Sequence, residues 1–143
     1  MISITPIKKS DFNKILQIEN NLFECSMTQS ELNNYFSQSS FRVWKIETKR
    51  IIGYVSFYHV IDEVEIIKIG IIKSYQRRRY GSFIIKELKK LDIKKIFLEV
   101  SSENVNAINF YVKNGFKVIG LRKGYYKSKN GSNIHALRLS ITC

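Results

Sequence analysis

The chain has few of the residues that cross-link or interrupt small proteins. Its 143 residues include one proline, one tryptophan and two cysteines. Cys25 and Cys143 lie far apart and form no CxxC motif. This pattern predicts a reducing, cytoplasmic setting and no structural metal, because disulfide frameworks and zinc sites use clustered cysteines. A disulfide between these two residues is the alternative interpretation.

Several other features are missing from the chain. It contains no apolar run of about 18 residues, so no membrane-spanning helix is expected. Its N-terminus lacks a basic segment followed by an apolar one, which argues against a signal peptide. There is no internal repeat or low-complexity stretch. The length therefore predicts a single domain over residues 1–143.

Acidic residues are scarce relative to basic ones. The chain has 24 Lys and Arg against 12 Asp and Glu, a formal net charge of +12. Such a charge can mark a surface that faces nucleic acid, and a non-catalytic rRNA-binding module is one interpretation. However, the lysines are scattered and no aromatic RNA-binding motif is present, so direct nucleic-acid binding is not expected. The exception is Arg77–Arg79, where three arginines are consecutive.

Hydrophobic periodicity gives the order β α α β β β α β α β β. This order predicts an α/β (α+β) fold in which a mixed sheet carries helices on both faces. The predicted strands are 3–7, 41–47, 51–60, 65–72, 96–100, 116–121 and 134–141, and the predicted helices include 83–91 and 104–114.

The chain is organised around the segment that joins the fourth strand to the third helix. A buried strand ending near Ile72 runs through a short basic turn into the helix that contains Phe83. The free N–H groups and the dipole at such a helix start favour anions, most often phosphate. Arg77–Arg79 add full positive charges and bidentate donors.

Two further features follow this turn in the chain. Glu99 is the one carboxylate of an apolar strand, and it faces away from Ile96, Leu98 and Val100. Asn104 and Tyr111 are seven residues apart, which places them on one helix face roughly 10 Å apart along the axis.

Together these motifs resemble the GNAT superfamily of acetyl-CoA-dependent N-acetyltransferases. Within it they are most similar to the RimI branch, which acetylates the N-terminal alanine of a small-subunit ribosomal protein. The resemblance implies a mixed, mostly antiparallel sheet of about seven strands, flanked by about four helices, with two splayed parallel central strands. The residues that carry it are Ile69-Gly70-Ile71, the turn from Tyr75 to Gly81, the segment from Leu98 to Asn104, Ala107-Ile108, Tyr111, Gly115-Phe116 and the segment from Arg122 to Tyr126.

The resemblance also implies how the donor is bound. Acetyl-CoA is the co-substrate, and no metal takes part. The backbone of the fourth strand would bond the pantetheine arm and polarise the thioester carbonyl. The residues that would bind the cofactor are Ile69, Gly70, Ile71, Gln76, Arg77, Arg78, Arg79, Tyr80, Gly81, Ser82 and Asn104.

In the catalytic roles implied by the resemblance, Glu99 is a general base acting through a water and Tyr111 is the acid for the leaving thiolate. The chemistry fits an α-amine, with a pKa of about 7.7–8.0, better than a lysine, with a pKa of about 10.4. Deprotonating the lysine would cost about 3.4 kcal/mol more. A phenol with a pKa of about 10 can protonate a thiolate whose conjugate acid has a pKa of about 8.5.

The acceptor is the least specified part of the resemblance. The expected partner is a peptide or protein N-terminus, such as that of a ribosomal protein, and the enzyme is expected to be a monomer or weak dimer. A lysine side chain or a small amine is the alternative acceptor. Met27 stands where RimI-like chains often carry tryptophan, and Tyr125 and Tyr126 either line the acceptor groove or pack the last hairpin.

The turn departs from the family pattern at Arg79, which replaces the first glycine of the motif, while Gly81 is kept. Arg79 would either weaken acetyl-CoA binding or contact phosphate directly.

The other candidates also have ordinary structural interpretations. In these, Arg77–Arg79 are a solvated loop, Glu99 is a solvated strand-end acid, Asn104 is a helix cap and Tyr111 is a core aromatic.

Overall fold

The computed structural model describes residues 1–23, 27–127, 131 and 133–143. The predicted order of strands and helices is confirmed. The strands are β1 (Ser3–Pro6), β2 (Phe41–Glu47), β3 (Ile51–Val60), β4 (Glu63–Ile71), β5 (Lys95–Ser101), β6 (Lys117–Lys127) and β7 (Asn133–Thr142). The α-helices are α1 (Phe12–Leu22), α2 (Gln29–Phe36), α3 (Tyr80–Leu88) and α4 (Val105–Lys113).

The strands form one sheet in the order β1-β2-β3-β4-β5-β7-β6. Neighbouring strands are antiparallel except for β4 and β5, which are parallel and are joined through α3. The mixed α/β fold predicted from the sequence is therefore confirmed. None of the described helices is long and apolar enough to cross a membrane.

The helices cover the two faces of the sheet in pairs. Helices α3 and α4 pack on one face, where Ile84, Leu88 and Tyr111 join the apolar residues of β4 and β5. Helices α1 and α2 pack on the other face, where Ile15 and Leu32 meet the side chains of β2 and β3. We call these the α3/α4 face and the α1/α2 face.

The parallel strands β4 and β5 pair only at their beginnings. The register runs from Glu63 opposite Lys95 to Glu65 opposite Phe97, and within these two fully described strands no later pair joins them. Both strands continue, to Ile71 and Ser101 respectively. The predicted splay is thus present, and it leaves an opening between β4 and β5 that we call the β4–β5 gap.

The largest differences from the predicted boundaries are at α3 and β6. Helix α3 begins at Tyr80 and ends at Leu88 rather than at residue 91, since Leu91 packs against the core from the loop beyond the helix. Strand β6 continues to Lys127 although a connection was predicted from Gly124. A register shift between Arg122 and Tyr126 absorbs the left-handed Gly124, whose φ is 61°.

The prediction for Cys25 falls outside the described residues. Cys143 is exposed at the C-terminus. Among the described residues there is no group of three or more His, Cys, Asp or Glu side chains that could hold a metal ion.

Candidate active site

The basic turn joins β4 to α3 through a short 3₁₀ helix at Lys73–Tyr75. Arg79 is the N-cap of α3, and no side chain of the described residues accepts a capping hydrogen bond there. The N–H groups of the first turn of α3 are therefore open to a ligand, and the helix dipole favours an anion. All three arginines from Arg77 to Arg79 are exposed.

Tyr75 organises the positive charge around the turn. The guanidinium carbon of Arg78 lies 5.5 Å from the centre of its ring, and that of Arg50 lies 5.8 Å away. The ring of Tyr80 is 5.9 Å from the same ring. These cation–π contacts hold Arg78 and Arg50 beside the start of α3. Arg50, which lies far away in the sequence, adds to the local positive charge.

Two arginines of the turn have backbone conformations that favour glycine. The φ angles of Arg77 and Arg79 are 61° and 68°. For a residue with a Cβ, this left-handed region costs roughly 1–2 kcal/mol. The left-handed backbone of the turn therefore explains why the family has glycine at the position of Arg79. This chain adopts the left-handed conformation there with an arginine.

Replacing Arg79 by glycine is expected to stabilise the protein by about 1 kcal/mol, because the left-handed conformation costs glycine nothing. Urea unfolding measures this directly. Arg78→Gly is the matched control, since it removes the same charge at a position without positive φ. The control should be neutral or destabilising. Equal changes in the two variants would refute the strain explanation.

Gly81 has a packing role in addition to the cofactor role implied by the resemblance. A Cβ built on it would lie 2.9 Å from two carbons of the Phe110 ring. The glycine therefore allows α3 and α4 to approach each other next to the turn. The orientation of the start of α3 depends on this contact.

Gly81→Ala is expected to destabilise the fold by about 1–3 kcal/mol, the usual cost of overpacking. The double variant Gly81→Ala/Phe110→Leu should recover much of this loss because leucine makes room for the new methyl group. Ser82→Ala serves as a control at the next position. Thermal or urea unfolding of the wild type, Gly81→Ala, Phe110→Leu and the double variant gives the coupling, and strictly additive losses would contradict the packing role.

The backbone of β4 faces alternately toward β3 and toward the β4–β5 gap. The N–H of Ile72 donates to the Ile52 carbonyl of β3 at 2.9 Å. In an antiparallel ladder such bonds recur at every second residue. Gly70 therefore faces β3, while the backbone groups of Ile69 and Ile71 face the gap.

Two of the predicted cofactor residues have structural partners at the end of β4. The side-chain amide of Gln76 donates to the Ile71 carbonyl at 2.7 Å, which ties the turn to the strand. A Cβ on Gly70 would lie 2.7 Å from the Tyr54 ring. Of the backbone groups that face the gap, Gln76 therefore occupies the Ile71 carbonyl. The N–H of Ile71 and both backbone groups of Ile69 are not bonded to Gln76.

Glu99 lies on the α1/α2 face of β5, as its strand alternation predicts. Its Oε1 is 2.9 Å from Nη2 of Arg122 and 3.6 Å from Nε of Arg138. The Glu99 side chain is 16% exposed, so it is held by two arginines rather than solvated at a strand end. Neither arginine could be recognised as a partner of Glu99 from the sequence alone. Glu99 and Arg138 are directly opposite in the β5–β7 register.

Two tyrosines from β6 surround the same ion pair. Arg122 lies over the Tyr125 ring at 4.4 Å, and the Tyr125 and Tyr126 rings are 4.9 Å apart. Burial, followed by the negative charge of Glu99, raises the pKa of Tyr126. Tyr126 therefore shares the environment of the carboxylate.

Tyr111 lies on the other side of the sheet. Its ring packs between Phe110 and Phe116 at centroid distances of 5.1 and 5.3 Å, and the residue is 8% exposed. Burial raises the pKa of its phenol above the ordinary value.

Asn104 is the N-cap of α4, the helix that carries Tyr111. Its Oδ1 accepts a hydrogen bond from the Ala107 N–H at 3.2 Å. The capping interpretation is therefore correct, and the cap leaves the NH₂ group of Asn104 as a donor. Glu99 and Tyr111 occupy opposite faces of the sheet, and the β4–β5 gap connects these faces.

Met27 is next to β4, on the α1/α2 face. Its N–H donates to Oε2 of Glu19 at 3.0 Å. With Lys68 it lines a cavity of about 240 Å³. The cavity is lined by Met27, Glu31, Tyr35, Phe41, Tyr58, Ile67 and Lys68.

The splayed parallel strands, the anion-binding helix start and the carboxylate beside the gap define the class of protein. The chain belongs to the Acetyltransferase (GNAT) family, which it matches over residues 10–116. It is accordingly an N-acetyltransferase, and the family uses acetyl-CoA as donor.

Individual relatives and solved structures are similar to nearly the whole chain. The chain is 28% identical over 141 residues, covering 96% of each protein, to the ribosomal protein bS18-alanine N-acetyltransferase of Haemophilus influenzae. The crystal structure of the ribosomal-protein-S18-alanine N-acetyltransferase from Escherichia coli has a TM-score of 0.86 at 21% identity, with 99% of this chain and 94% of that one covered. Arabidopsis thaliana NAA60 in complex with acetyl-CoA has a TM-score of 0.84 at 18% identity, with both chains fully covered. The resemblance to the RimI type is thereby confirmed.

Proposed function

We propose that this enzyme transfers the acetyl group of acetyl-CoA to the N-terminal α-amine of a protein, with the N-terminal alanine of a ribosomal protein as the favoured acceptor. The observation that carries the proposal is the β4–β5 gap, with the Glu99 carboxylate on one face and the Tyr111 phenol on the other. Similarity to bS18-alanine N-acetyltransferases supports the choice of acceptor.

Acetyl-CoA, the acetyl donor, would be bound along a path from the basic turn to the β4–β5 gap. The open N–H groups at the start of α3 and the guanidinium groups of Arg77 and Arg79 suit a pyrophosphate. The gap-facing backbone groups of Ile69 and Ile71 suit the amides of the pantetheine arm, and the NH₂ group of Asn104 is a further donor. This arrangement would bring the thioester between the two faces of the sheet.

The acceptor would approach from the α1/α2 face. Glu99 takes the amine proton through a water, while Arg122 and Arg138 hold its Oε1 and fix its orientation. One carboxylate suits an α-amine because a lysine would cost about 3.4 kcal/mol more to deprotonate. Tyr125 and Tyr126 would line this entrance beside Glu99, with Met27 on the β4 side.

The leaving thiolate would depart toward Tyr111. This phenol is protonated at neutral pH even with the ordinary pKa of about 10, and burial raises its pKa further. A CoA sulfur bound in the same buried setting would also be disfavoured as a thiolate, so the proton would pass between two groups whose pKa values are both raised. In this proposal, Glu99 on one face of the sheet deprotonates the attacking amine, and Tyr111 on the other face protonates the leaving thiolate.

Mass spectrometry of acetylated peptides tests the acceptor. The substrates are a peptide that begins with alanine and contains one internal lysine, the same peptide with a blocked N-terminus, and spermidine. We expect acetylation of the α-amine of the first peptide and little of the other two. Equal transfer to the blocked peptide or to spermidine would favour the lysine or small-amine alternative. The family assignment weighs against the non-catalytic rRNA-binding alternative.

A further inference from the structure

Outside the proposed site, the most unusual ionisable group is Glu19 on α1. Its side chain is fully buried, with 0% exposure. Burying a carboxylate costs several kcal/mol unless it is paired and hydrogen-bonded. The residues around Glu19 therefore need to meet this requirement, and they show what the carboxylate holds together.

The partners of Glu19 come from three separate parts of the chain. The Tyr54 hydroxyl of β3 donates to Oε1. The N–H of Met27, in the connection between α1 and α2, donates to Oε2 at 3.0 Å. The ammonium group of Lys68 on β4 lies 3.2 Å from the same oxygen. One carboxylate thus joins α1, Met27, β3 and β4.

Tyr54 links this network to the edge of the gap. Burial, followed by the hydrogen bond and charge of Glu19, raises the pKa of its phenol, so it remains a donor. Its ring occupies the space where a side chain on Gly70 would lie, since a Cβ added there would come within 2.7 Å of it. The network therefore contacts β4 at Lys68 and at Gly70, on either side of the gap-facing Ile69.

We propose that Glu19 is a positioning residue for the acceptor. It fixes Met27 relative to the part of β4 that borders the gap, on the face where Glu99 lies. It contacts no reacting atom in this scheme and acts through Met27, Tyr54 and Lys68. The inference rests on the proposed function, because it assumes that the acceptor enters over this face.

Glu19→Gln and Tyr54→Phe test the inference with small changes of shape. Glu19→Gln removes the charge of the buried acceptor, and Tyr54→Phe removes one of its hydrogen-bond donors. In each variant the KM for the acceptor peptide should rise about tenfold. The KM for acetyl-CoA should change much less, since the turn is untouched. Glu87→Gln, on α3, is the control and should leave both constants unchanged.

A purely structural role would give a different result. It would lower stability or the active fraction, and hence kcat, without a selective rise in the acceptor KM. Exchange of the Met27 amide with solvent gives a readout that does not depend on activity, and it should be about tenfold faster in Glu19→Gln. An unchanged acceptor KM in both variants, or an unchanged Met27 exchange rate, overturns the inference.

The two proposals can fail separately. If the wild-type enzyme does not acetylate an α-amine, the proposed function is wrong, and the same constants are then measured with whichever amine it does acetylate. If the wild type acetylates the peptide but neither variant alters its KM, only the positioning role of Glu19 is wrong.

Discussion

Replacing Glu99 by glutamine is expected to lower kcat/KM for an alanine-terminated peptide by about 10²–10⁴-fold, the usual contribution of a positioned general base. Glutamine has nearly the same shape, and its carbonyl oxygen can still accept from Arg122. It cannot take a proton from the attacking amine. The loss should therefore appear in turnover, with acetyl-CoA affinity unchanged because the ion pairs described for Glu99 are with Arg122 and Arg138 and not with the arginines of the turn.

Steady-state kinetics with a thermal-shift titration of acetyl-CoA separates these effects. Glu103→Gln is a matched control, since it removes an exposed acid from the residues just after the same strand. It should retain nearly full activity. Activity of Glu99→Gln within a few-fold of wild type would show that the amine reaches the thioester already deprotonated, and Glu99 would lose its proposed role.

Tyr111→Phe is expected to lower kcat by about 10²–10⁴-fold, the range for a general acid. Phenylalanine keeps the ring that packs between Phe110 and Phe116, so the free energy of unfolding should change by less than about 1.5 kcal/mol. A large loss of activity with little loss of stability would identify the hydroxyl as the functional group.

The control for Tyr111→Phe is Tyr126→Phe, which removes a hydroxyl beside Glu99 on the opposite face. It should have a smaller effect on kcat, because Tyr126 is proposed to contact the acceptor and not the thiolate. Urea unfolding monitors stability in both proteins. If Tyr111→Phe turns over normally, the thiolate takes its proton from water and Tyr111 is only a core aromatic.

The order of elements could be predicted because it depends on local periodicity. Apolar alternation marks β5, and the spacing of Ile84 and Leu88 marks α3, whichever residues pack against them later. The basic turn could be predicted for the same reason, since a strand, three arginines and a helix are adjacent in the chain. The left-handed φ of Arg79 could be anticipated only from the glycine that the family has there.

The partners of the site residues could not be predicted, because they depend on which strands become neighbours. Arg138 faces Glu99 only because β7 lies between β5 and β6 in the sheet. Likewise, Glu19 follows Ile18 on an amphipathic helix, where a carboxylate is normally exposed. Its burial requires partners from β3, β4 and the α1–α2 connection, which only the folded chain brings together.

The most direct test of the account is residue-resolved amide exchange, with and without acetyl-CoA. We predict that the cofactor slows exchange at the gap-facing amides of Ile69 and Ile71 and at residues 77–82, while the exposed edge strand β6 is unaffected. Slower exchange confined to other segments, or no change at the β4–β5 gap, would contradict the claim that the thioester lies between these two strands.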